Sequence, residues 1–367
     1  MQETDYSEQN NLINFKYYLA IRFISSSHFF VVIKYIVWYT FFMVNKLLVF
    51  NSLTNNAYIN QATEAYLLQA VKEGELILYF WANKNSIFIG RNQDAFSEID
   101  VDAFLKDGGS ILRRFSGGGA VYHDTGNVNF SIITTEKDYD LSTFRNLLID
   151  AFQSLGIDAK LSGRNDFEVD GFKFSGNAYL KRPVDGIVKC LQHGTILVSL
   201  YPEAVSKYLT PSKEKLERKG VKSVESRVTC LCKINPEITI DSIVGKIEDT
   251  FESKYGNKEE RTLENIYNEE DYKALYMQLI SKKWIYGEYK LNENCFESTI
   301  KNSKVDIELL VKDDIIINTN IYTDDMDVCF IESIKDELQG VNINKTDSLT
   351  NDSKKIIEDY KRWKDTI

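Results

Sequence analysis

The fold of this chain is decided by one glycine-centred stretch, which reads Arg113-Arg114-Phe115-Ser116-Gly117-Gly118-Gly119-Ala120-Val121-Tyr122-His123-Asp124 and continues as Thr125-Gly126-Asn127-Val128-Asn129-Phe130-Ser131. Both flanks are rich in β-branched and aromatic residues, a pattern that predicts a strand, a loop and a second strand. Because glycine has no Cβ, successive backbone N–H groups can approach a ligand and form an anion-binding concavity. Two adjacent arginines add permanently charged donors for carboxylate or phosphate. The stretch therefore predicts a cradle for an anionic ligand.

The glycine stretch differs from two common nucleotide-binding motifs. No Gly-Lys-Ser/Thr sequence follows it, so it is not the phosphate loop of nucleotide hydrolases. No helical pattern opens after the glycines, so it does not fit the dinucleotide-binding fingerprint. A glycine triplet alone is equally consistent with a tight turn, and the ligand-binding interpretation depends on the whole string.

Composition limits the class of protein. The 367 residues suffice for two or three domains with proper cores. With 44 basic and 54 acidic residues the net charge is −10, which argues against a general nucleic-acid grip. The five cysteines are too few and too scattered for a disulfide framework, so we expect reduced thiols. Partners should be small molecules or a protein, and an anionic ligand must be held by a local cluster.

Residues 1–46 are predicted to be an N-terminal extension outside the catalytic fold. Residues 29–44 are nearly all apolar, but they are fewer than the roughly 20 residues that a membrane-spanning helix needs. Neither a clear positive segment nor a cleavage site marks a secretory signal. We expect residues 1–42 to take no part in the working enzyme, and a membrane anchor is the alternative.

Downstream, hydrophobic periodicity predicts alternating helices and strands. Helices are expected at 60–72, 100–106, 141–155, 240–255, 271–283 and 328–338, and strands at 76–81, 86–90, 190–197, 296–311 and 315–322. Residues 202–220 indicate a short helix followed by a mobile, basic-leaning segment. Residues 257–264 are polar and unpatterned, which suggests a domain boundary. We expect a catalytic domain at 47–256, an accessory domain at 263–345 and a C-terminal helix at 346–367.

A second informative stretch is a predicted hairpin, Gly163-Arg164-Asn165-Asp166-Phe167-Glu168-Val169-Asp170-Gly171-Phe172-Lys173-Phe174-Ser175-Gly176. Asp-Gly between two alternating runs is a strong two-residue turn signal. The expected cross-strand pairs are Val169 with Phe172, Glu168 with Lys173, and Asp166 with Ser175. Alternation then gives an apolar face and a polar face. The apolar face is Phe167, Val169, Phe172 and Phe174; the polar face is Asp166, Glu168, Lys173 and Ser175. A solvated Lys173 paired with Glu168 is the competing interpretation.

Two of the three histidines, His123 and His193, lie in motif stretches, and His193 is followed by Gly194-Thr195 in a predicted strand. Taken alone this signal is weak, since a lone histidine is more often structural.

Together these strings resemble the lipoate–protein ligase A family of the biotin/lipoate protein ligase superfamily. The resemblance is carried by residues 113–124, 163–166, 173–176 and 193–195. Trp81 with Ile89-Gly90-Arg91, residues 219–228 and Trp284-Ile285-Tyr286-Gly287 are similar to further family segments. The implied fold is α+β: a mixed β-sheet flanked by helices, as in class II synthetases and biotin ligases, with a small α/β C-terminal accessory domain.

The resemblance implies a ligase that works in two steps. Lipoate and ATP would give lipoyl-AMP and pyrophosphate, and the lipoyl group would then pass to a lysine of an acceptor protein. The implied cofactors are ATP and Mg²⁺, and the implied location is cytoplasmic. The implied partners are lipoate, apo lipoyl domains of 2-oxoacid dehydrogenase complexes and the glycine cleavage H protein, without nucleic acid or membrane.

Specific residues follow from the same resemblance. Lys173 would be catalytic, contacting both the acyl carbonyl and the phosphate, where positioned cations offset developing charge. The implied ATP-binding residues are Arg114, Gly119, Ala120, Val121, Tyr122 and Lys173. The implied lipoate-binding residues are Arg114, Ser116, Gly117, Gly118, His123, Lys173 and His193. Asn165 and Asp166 would support them, with Asp166 also a candidate metal ligand, and strands around Trp81 and Ile89 would hold the apolar tail.

Two alternatives remain. An octanoyl or lipoyl transferase shares this fold but passes the acyl group through a cysteine thioester. The corresponding place here reads Gly163-Arg164-Asn165-Asp166, without cysteine, and Cys190 lies too far along the chain to match. A non-catalytic lipoyl-binding protein is the second alternative, because fold alone does not fix function.

Overall fold

The computed structural model describes residues 44–163, 165–199, 207–210, 228–287, 295–301 and 303–366. The chain divides into two units, Met1–Val44 and Asn45–Ile367, and the second contains everything described below. The predicted extension lies outside the described residues except for its last three, of which Lys46 begins the first strand. Within the described ranges no helix has the length and apolar character needed to cross a membrane.

The described strands, in chain order, are β1 (Lys46–Asn51), β2 (Glu75–Trp81), β3 (Ser86–Ile89), β4 (Ser110–Arg113), β5 (Val121–His123), β6 (Asn127–Thr135), β7 (Lys160–Ser162), β8 (Asp166–Val169), β9 (Phe172–Val184), β10 (Ile187–Leu197), β11 (Lys258–Arg261), β12 (Cys295–Ile300), β13 (Ser303–Lys312) and β14 (Ile315–Tyr322). The described α-helices are α1 (Ala57–Ala70), α2 (Ala95–Glu98), α3 (Val101–Lys106), α4 (Leu141–Ser154), α5 (Leu231–Ile234), α6 (Ile240–Tyr255), α7 (Glu270–Ile280), α8 (Lys282–Tyr286), α9 (Val328–Leu338) and α10 (Asn351–Lys364).

An eight-stranded mixed sheet forms the centre, in the order β11-β1-β2-β6-β10-β9-β8-β7. β1 runs parallel to β11 and to β2, and the remaining neighbours are antiparallel. Every side chain of β6, and all but the first of β2, is buried. Burial on both faces explains the continuous apolar run of β2 after its first residue.

A smaller sheet of order β4-β3-β5 carries the glycine stretch, whose glycines connect β4 to β5. β3 is parallel to β4 and antiparallel to β5. The predicted strand, loop and strand are therefore confirmed. The helix before β4 begins at an N-cap, Asp100, whose carboxylate accepts the N–H of Ala103.

Helices cover both faces of the large sheet. On one face, α1 begins where the side chain of Asn56 accepts two backbone N–H groups, and it packs over β2 and β6. On the other, α4 and α6 pack together, with the Phe144 and Phe251 rings 6.1 Å apart. α6 has a capping box formed by Thr239 and Ser242 and ends at Gly256, whose φ is +62°.

Residues 258–261 differ from the prediction of an unpatterned boundary. They form β11, which extends the large sheet beside β1. On this sheet edge Lys258 makes ion pairs with Glu248 and Glu252 of α6, at 3.4 and 3.2 Å. An edge strand made of charged residues shows no hydrophobic alternation, which is why periodicity missed it.

Two predicted elements are each divided in the structure. The helix expected at 271–283 is α7 and α8, separated at Ser281, whose side chain accepts the N–H of Trp284 and caps α8. The strand expected at 296–311 is β12 and β13, which turn at Lys301 with a φ of +46°.

We call residues 295–366 the C-terminal module. Its antiparallel sheet β12-β13-β14 packs against α9 and α10 over one apolar core, whose buried members include Ile307, Leu309, Ile316, Ile334 and Ile356. The Tyr360 ring of α10 lies 5.8 Å from that of Phe296 on β12. The predicted fold class, a mixed sheet flanked by helices with a small C-terminal domain, is confirmed.

Candidate active site

A cavity of about 640 Å³ is lined by the glycine loop, the β8–β9 hairpin, β10 and residues 323–326 of the C-terminal module. It brings together most of the residues predicted from the sequence. The predicted residues on its wall are Arg114, Gly118, Gly119, Ala120, Val121, His123, Asn165, Asp166, Lys173 and His193. Trp81, expected beside the apolar tail, also lines it, whereas Ile89 is fully buried elsewhere.

The hairpin turns at Asp170 and Gly171, whose φ angles of 52° and 80° match the predicted two-residue turn. The pairs Val169–Phe172 and Glu168–Lys173 are confirmed. The predicted pair of Asp166 with Ser175 is wrong, because a bulge between Phe167 and Glu168 moves Asp166 opposite Gly176.

The side-chain faces of the hairpin also differ from strict alternation. Phe172, expected on the apolar face, is 47% exposed at the hairpin tip, whereas Ser175, expected on the polar face, is fully buried. Phe167 and Phe174 are buried as predicted and meet the ring of Phe152 at 5.5 and 5.1 Å. These ring contacts anchor the hairpin to the core. The bulge changes which residues lie beside Lys173.

The Lys173 side chain lies over its own strand and makes an ion pair with Asp166, Nζ to Oδ1 2.9 Å. Glu168 is its cross-strand neighbour, but the bulge brings Asp166 to the ammonium. At Gly176 a Cβ would stand 2.6 Å from Lys173 Nζ, so a side chain there would displace the end of the lysine from this position. The Lys173 carbonyl accepts the Thr229 N–H at 2.8 Å, which fixes the backbone. Lys173 is 24% exposed and Asp166 7%, so the pair faces the cavity rather than open solvent.

Arg114 shapes the glycine loop from within. Its Nη2 donates to the carbonyls of Gly117 and Gly119 at 2.7 and 2.8 Å, and its Nη1 donates to Phe88 at 3.1 Å. Burial lowers the pKa of Arg114 to about 10, so it remains a cation at neutral pH. Although it borders the cavity, its donors are engaged in holding the loop.

Arg113, the other arginine of the pair, does not face the cradle. Its guanidinium donates to backbone carbonyls of Gly90, Gln93 and Ile285, at 3.1, 2.6 and 2.8 Å. The expectation that both arginines serve the anion cradle is therefore wrong for Arg113. Adjacent residues of a strand point to opposite faces, so only one of them can border the loop.

The glycines are required by close contacts at two places. A Cβ on Gly90 would stand 2.0 Å from the Gly118 carbonyl oxygen, and one on Gly117 would stand 2.2 Å from the Asp325 carbonyl oxygen. Gly118 has a φ of +90°, and its N–H donates to Asp325 at 3.3 Å. Gly117 thus contacts the C-terminal module and is not on the cavity wall.

Ser116 and Tyr122 also lie off the cavity wall. Ser116 is fully buried, and its Oγ lies 2.7 Å from His193 Nε2. The Tyr122 hydroxyl donates to Asn85 at 3.3 Å, and its ring packs against Phe104. The Tyr122 side chain is therefore not part of the cavity wall, and only its backbone, in β5, adjoins the glycine loop.

A buried relay continues from Ser116 through His193 to Glu64 of α1. His193 Nδ1 lies 2.8 Å from Glu64 Oε1, which also accepts the Ser131 hydroxyl at 2.5 Å. Arg114 Nε donates to Ser116 Oγ at 3.1 Å. The serine hydroxyl is therefore free to donate to His193, and the histidine to Glu64. This resembles a hydrolase triad, but the serine is buried behind the wall and cannot reach a ligand in the cavity.

Sequence reasoning missed Glu64. No local signal marked it, because Glu64 is far from His193 in the chain and is one of several polar residues that α1 buries, with Asn60, Gln61 and Thr63.

His123 is held neutral at the same end of the cavity. Burial, with the Arg114 cation nearby, lowers its pKa to about 3. Asn83 Nδ2 donates to Nδ1 at 3.1 Å, so Nε2 carries the proton and meets Thr195 Oγ1 at 2.9 Å. Thr195 in turn donates to Asn129 at 2.8 Å. A neutral ring stacked on Phe88, 4.8 Å between centroids, suits an apolar ligand.

The β7–β8 connection is fixed by a reciprocal asparagine pair. Asn165 Nδ2 donates to the Asn177 carbonyl at 2.6 Å, and Asn177 Nδ2 donates to the Asn165 carbonyl at 3.0 Å. Asn165 therefore supports Asp166 by holding the backbone beside it. Arg164, and residues 219–227 predicted to fold over the adenylate, lie outside the described residues.

No cysteine is among the described residues that line the cavity. Cys190 is buried in β10, and burial raises its pKa to about 11. A thiol with such a pKa is a poor nucleophile at neutral pH. The described wall of this cavity therefore offers no thiol for a thioester route.

The described residues contain no group of three or more His, Cys, Asp and Glu side chains that could hold a metal ion. Four described carboxylates line the cavity, those of Glu64, Asp166, Asp324 and Asp325, and Asp166 already pairs with Lys173.

The fold and this cavity are those of a ligase with the catalytic domain of lipoate–protein ligases. Residues 56–252 match the family model described as the lipoyl protein ligase A/B catalytic domain. The chain belongs to this family, as the sequence resemblance implied, and it is a ligase enzyme.

Named relatives agree with this membership. A lipoate-protein ligase A from Psychrobacter cryohalolentis is 32% identical over 310 residues, which cover 82% of this chain and 90% of that protein. The crystal structure of P. falciparum LipL1 in complex with lipoate is similar at a TM-score of 0.71 and 27% identity, covering 88% of this chain and 99% of that one.

Two further solved structures are similar to the chain at TM-scores of 0.55. One is a bi-partite lipoate protein ligase from Thermoplasma acidophilum, studied with its E2 lipoyl domain; it is 27% identical and covers 68% of this chain and 99% of its own. The other is a lipoate-protein ligase A bound with ATP, at 26% identity, covering 67% and 99%.

Proposed function

We propose that this chain is an ATP-dependent lipoate–protein ligase, which activates lipoate as lipoyl-AMP and transfers the lipoyl group to a lysine of an acceptor protein. The observation that carries the proposal is the position of Lys173, whose ammonium shares one cavity with the backbone of Gly118 and Gly119. Relatives named for lipoate, and one solved with ATP, support the choice of substrates.

In the first step a carboxylate oxygen of lipoate would bond to the α-phosphorus of ATP as the bond to pyrophosphate breaks. Both reactants are anions, so the step requires a cation where charge accumulates. Lys173 is held beside the cavity by a partly exposed ion pair with Asp166. Because both groups border the cavity, phosphoryl or carboxyl oxygens of a bound ligand can replace the aspartate as partners of the ammonium.

The glycine loop would hold the nucleotide end. Residues 118–121 line the cavity with backbone and small side chains, and Arg114 fixes their carbonyls from behind. We propose that Arg114 acts on ATP and lipoate by positioning this loop rather than by touching them.

In the second step the neutral amine of an acceptor lysine would attack the acyl carbon, AMP would leave, and the new amide nitrogen would lose a proton. Asp166, beside Lys173 and 5% exposed, is the carboxylate that can take up this proton. The dithiolane end of lipoate would lie toward Trp81, Phe88 and the neutral His123, where the wall is aromatic.

Mg²⁺ would reach the site with ATP. Magnesium in nucleotide sites keeps several waters and takes one or two carboxylates together with phosphate oxygens, so no preformed protein cage is required. Asp166 fits this limited role once Lys173 has moved from it to the phosphates. The ion would then offset the negative charge of the departing pyrophosphate.

We propose lipoyl domains of 2-oxoacid dehydrogenase complexes, and the glycine cleavage H protein, as acceptors. The similarity to a ligase studied with its E2 lipoyl domain supports the first. All five cysteines are free, which supports a reducing, cytoplasmic location. We further propose that residues 47–256 catalyse the reaction, that residues 263–345 form an accessory domain followed by a C-terminal helix at 346–367, and that residues 1–42 are dispensable.

The test is incubation of the purified chain with lipoate and an apo lipoyl domain, with and without ATP. A ligase forms lipoylated acceptor only with ATP and releases pyrophosphate. A thioester transferase would instead use lipoyl or octanoyl acyl carrier protein without ATP, and a binding protein would modify nothing with either donor.

A further inference from the structure

A second cavity, of about 370 Å³, lies between the catalytic part of the chain and the C-terminal module. Residues 91–93 and the end of α8 form one side, and β14 with Lys335 of α9 forms the other. We call it the inter-module cavity. Its wall shares no residue with the wall of the cavity around Lys173.

The described wall of the inter-module cavity is cationic. It contains Arg91, Arg113, Lys283 and Lys335, and no described acidic residue lines it. Burial and the neighbouring Arg91 cation lower the pKa of Lys335 to about 8. Glu332 pairs with Arg91 at 3.4 Å, but both side chains are substantially exposed, at 45% and 32%, so this pair offsets the positive field only weakly.

Two buried polar groups on this wall have no hydrogen-bond partner in the described structure. They are Asn92 Nδ2 and Thr319 Oγ1, on residues that are 4% and 6% exposed. The other amide atom of Asn92, Oδ1, already accepts from Lys335 Nζ at 3.1 Å. A buried donor without an acceptor is energetically unfavourable. A bound ligand with acceptor oxygens would satisfy both groups.

We propose that the inter-module cavity binds a phosphate-type oxyanion, held by Lys335, Arg91, the Asn92 amide and the Thr319 hydroxyl. A tetrahedral anion offers several acceptor oxygens in different directions, which matches donors arriving from two sides. Excess positive charge without a described carboxylate suits a dianion. Arg113 would act only through its charge, because its donors are already used by backbone carbonyls.

The bound anion would join two parts of the molecule. Arg91 and Asn92 follow β3, whereas Thr319 and Lys335 belong to the C-terminal module. The Thr323 N–H already donates to the Asn92 carbonyl at 2.9 Å, and Asp325 accepts from Gly118. An anion bridging the same surfaces would hold the module against the glycine loop, and so should raise thermal stability as well as bind.

The test measures anion binding to the full chain by isothermal titration calorimetry. Inorganic phosphate, pyrophosphate and adenosine monophosphate are the probes that separate a free oxyanion from a phosphate ester, with acetate as the carboxylate control. All titrations use a Lys173→Ala background, which removes the main cation of the other cavity. Adding Lys335→Gln should weaken phosphate binding about tenfold, as expected for one charged hydrogen bond. Lys345→Gln, which removes an exposed lysine of the same module, should leave it unchanged.

A second variant separates ligand binding from structure. Thr319→Val keeps the shape but removes the unpaired hydroxyl, so the free protein should melt no lower while phosphate affinity falls about fivefold. If phosphate fails to bind, or binds Lys335→Gln and Thr319→Val as tightly as their parent, the proposal is overturned. A preference for acetate would overturn the phosphate assignment. These readouts are independent of ligation, so failure of the proposed ligase activity would not be confused with them.

Discussion

The two ends of the catalytic cavity are built on different physical principles. At one end Lys173 and Asp166 form a single ion pair that is partly open to solvent. At the other, His193, Glu64 and Ser116 form a buried relay beside a neutral His123. An ion pair that borders the cavity can exchange partners with a bound ligand, whereas a fully paired buried network is rigid and unfavourable to break. We therefore propose that the end with Lys173 and Asp166 carries the reaction and that the end with His193, Glu64 and Ser116 sets the shape of the ligand site.

The largest effect should come from removing the Lys173 ammonium from the cavity. Lys173→Ala should lower adenylate formation, followed as pyrophosphate release, by about 10²–10³-fold, because one preorganised cation at the developing charge is lost. The fold should be unchanged, because the Lys173 ammonium faces the cavity and is not part of the hydrophobic core. The matched control is Lys181→Ala on the same strand, an exposed lysine paired with Glu136 at 2.9 Å, which should keep full activity. Undiminished pyrophosphate release by Lys173→Ala would remove the lysine from the mechanism.

The glycine loop lies between the two ends of the catalytic cavity and packs closely against Gly90. Gly90 should therefore tolerate no added side-chain atom. Gly90→Ala places a Cβ 2.0 Å from the Gly118 carbonyl, and overpacking of this kind costs about 1–3 kcal/mol of unfolding free energy. Activity should fall with it, because the loop must shift. Gly245→Ala is the control: its Cβ in α6 meets nothing within 4 Å, so it should stabilise by about 1 kcal/mol. Equal stability of the two variants in urea denaturation would show that the loop is not tightly packed.

His123, at the end of the cavity with the buried relay, should affect how the unfolding free energy depends on pH. His123 has a folded-state pKa of about 3, well below its ordinary value near 6.5, so the unfolded chain binds the proton first as pH falls. The contribution of neutral His123 to the unfolding free energy is complete above pH 6.5. It is lost as the pH falls toward 3, by about 1.4 kcal/mol per pH unit. Between pH 7 and 5 the unfolding free energy of the parent should therefore fall about 2 kcal/mol further than that of His123→Gln. Parallel pH curves for the two proteins would mean that His123 has the same pKa in the folded and the unfolded chain.

A smaller effect should follow from weakening the relay. Glu64→Gln removes the charge that orients His193, so the KM for lipoate should rise about tenfold, equivalent to about 1.4 kcal/mol, while the KM for ATP stays unchanged. Glu73→Gln, at an exposed ion pair with Lys137, is the control and should change neither constant. A matching rise in both KM values would indicate general disruption of the cavity rather than a role at one end.

The smallest effect is expected at Cys190. Cys190→Ala should leave ligation within about twofold of the parent, because the thiol is buried in β10 and its raised pKa keeps it protonated. Ligation rates with saturating ATP provide the measurement. Complete loss of activity with an intact fold would restore the thioester transferase as the better interpretation.

Local sequence was sufficient where chemistry and periodicity act over a few residues. The two-residue turn at Asp170-Gly171, the strands on either side of the glycines, and the spans of α6 and α9 follow from turn preference, β-propensity and amphipathic spacing. Local reasoning failed at the bulge beside Glu168 and at the charged edge strand β11, because neither has a signal within its own residues.

The sequence by itself determined that a glycine loop and a hairpin lysine would both exist, and through family resemblance that they would serve lipoate ligation. Only the tertiary structure decided which side chains meet there. It paired Lys173 with Asp166 rather than Glu168, directed Arg113 away from the loop, and brought Glu64 of a distant helix to His193. The physical reason is that turns and strands depend on neighbours along the chain, whereas side-chain partners depend on how separate elements pack and exclude water.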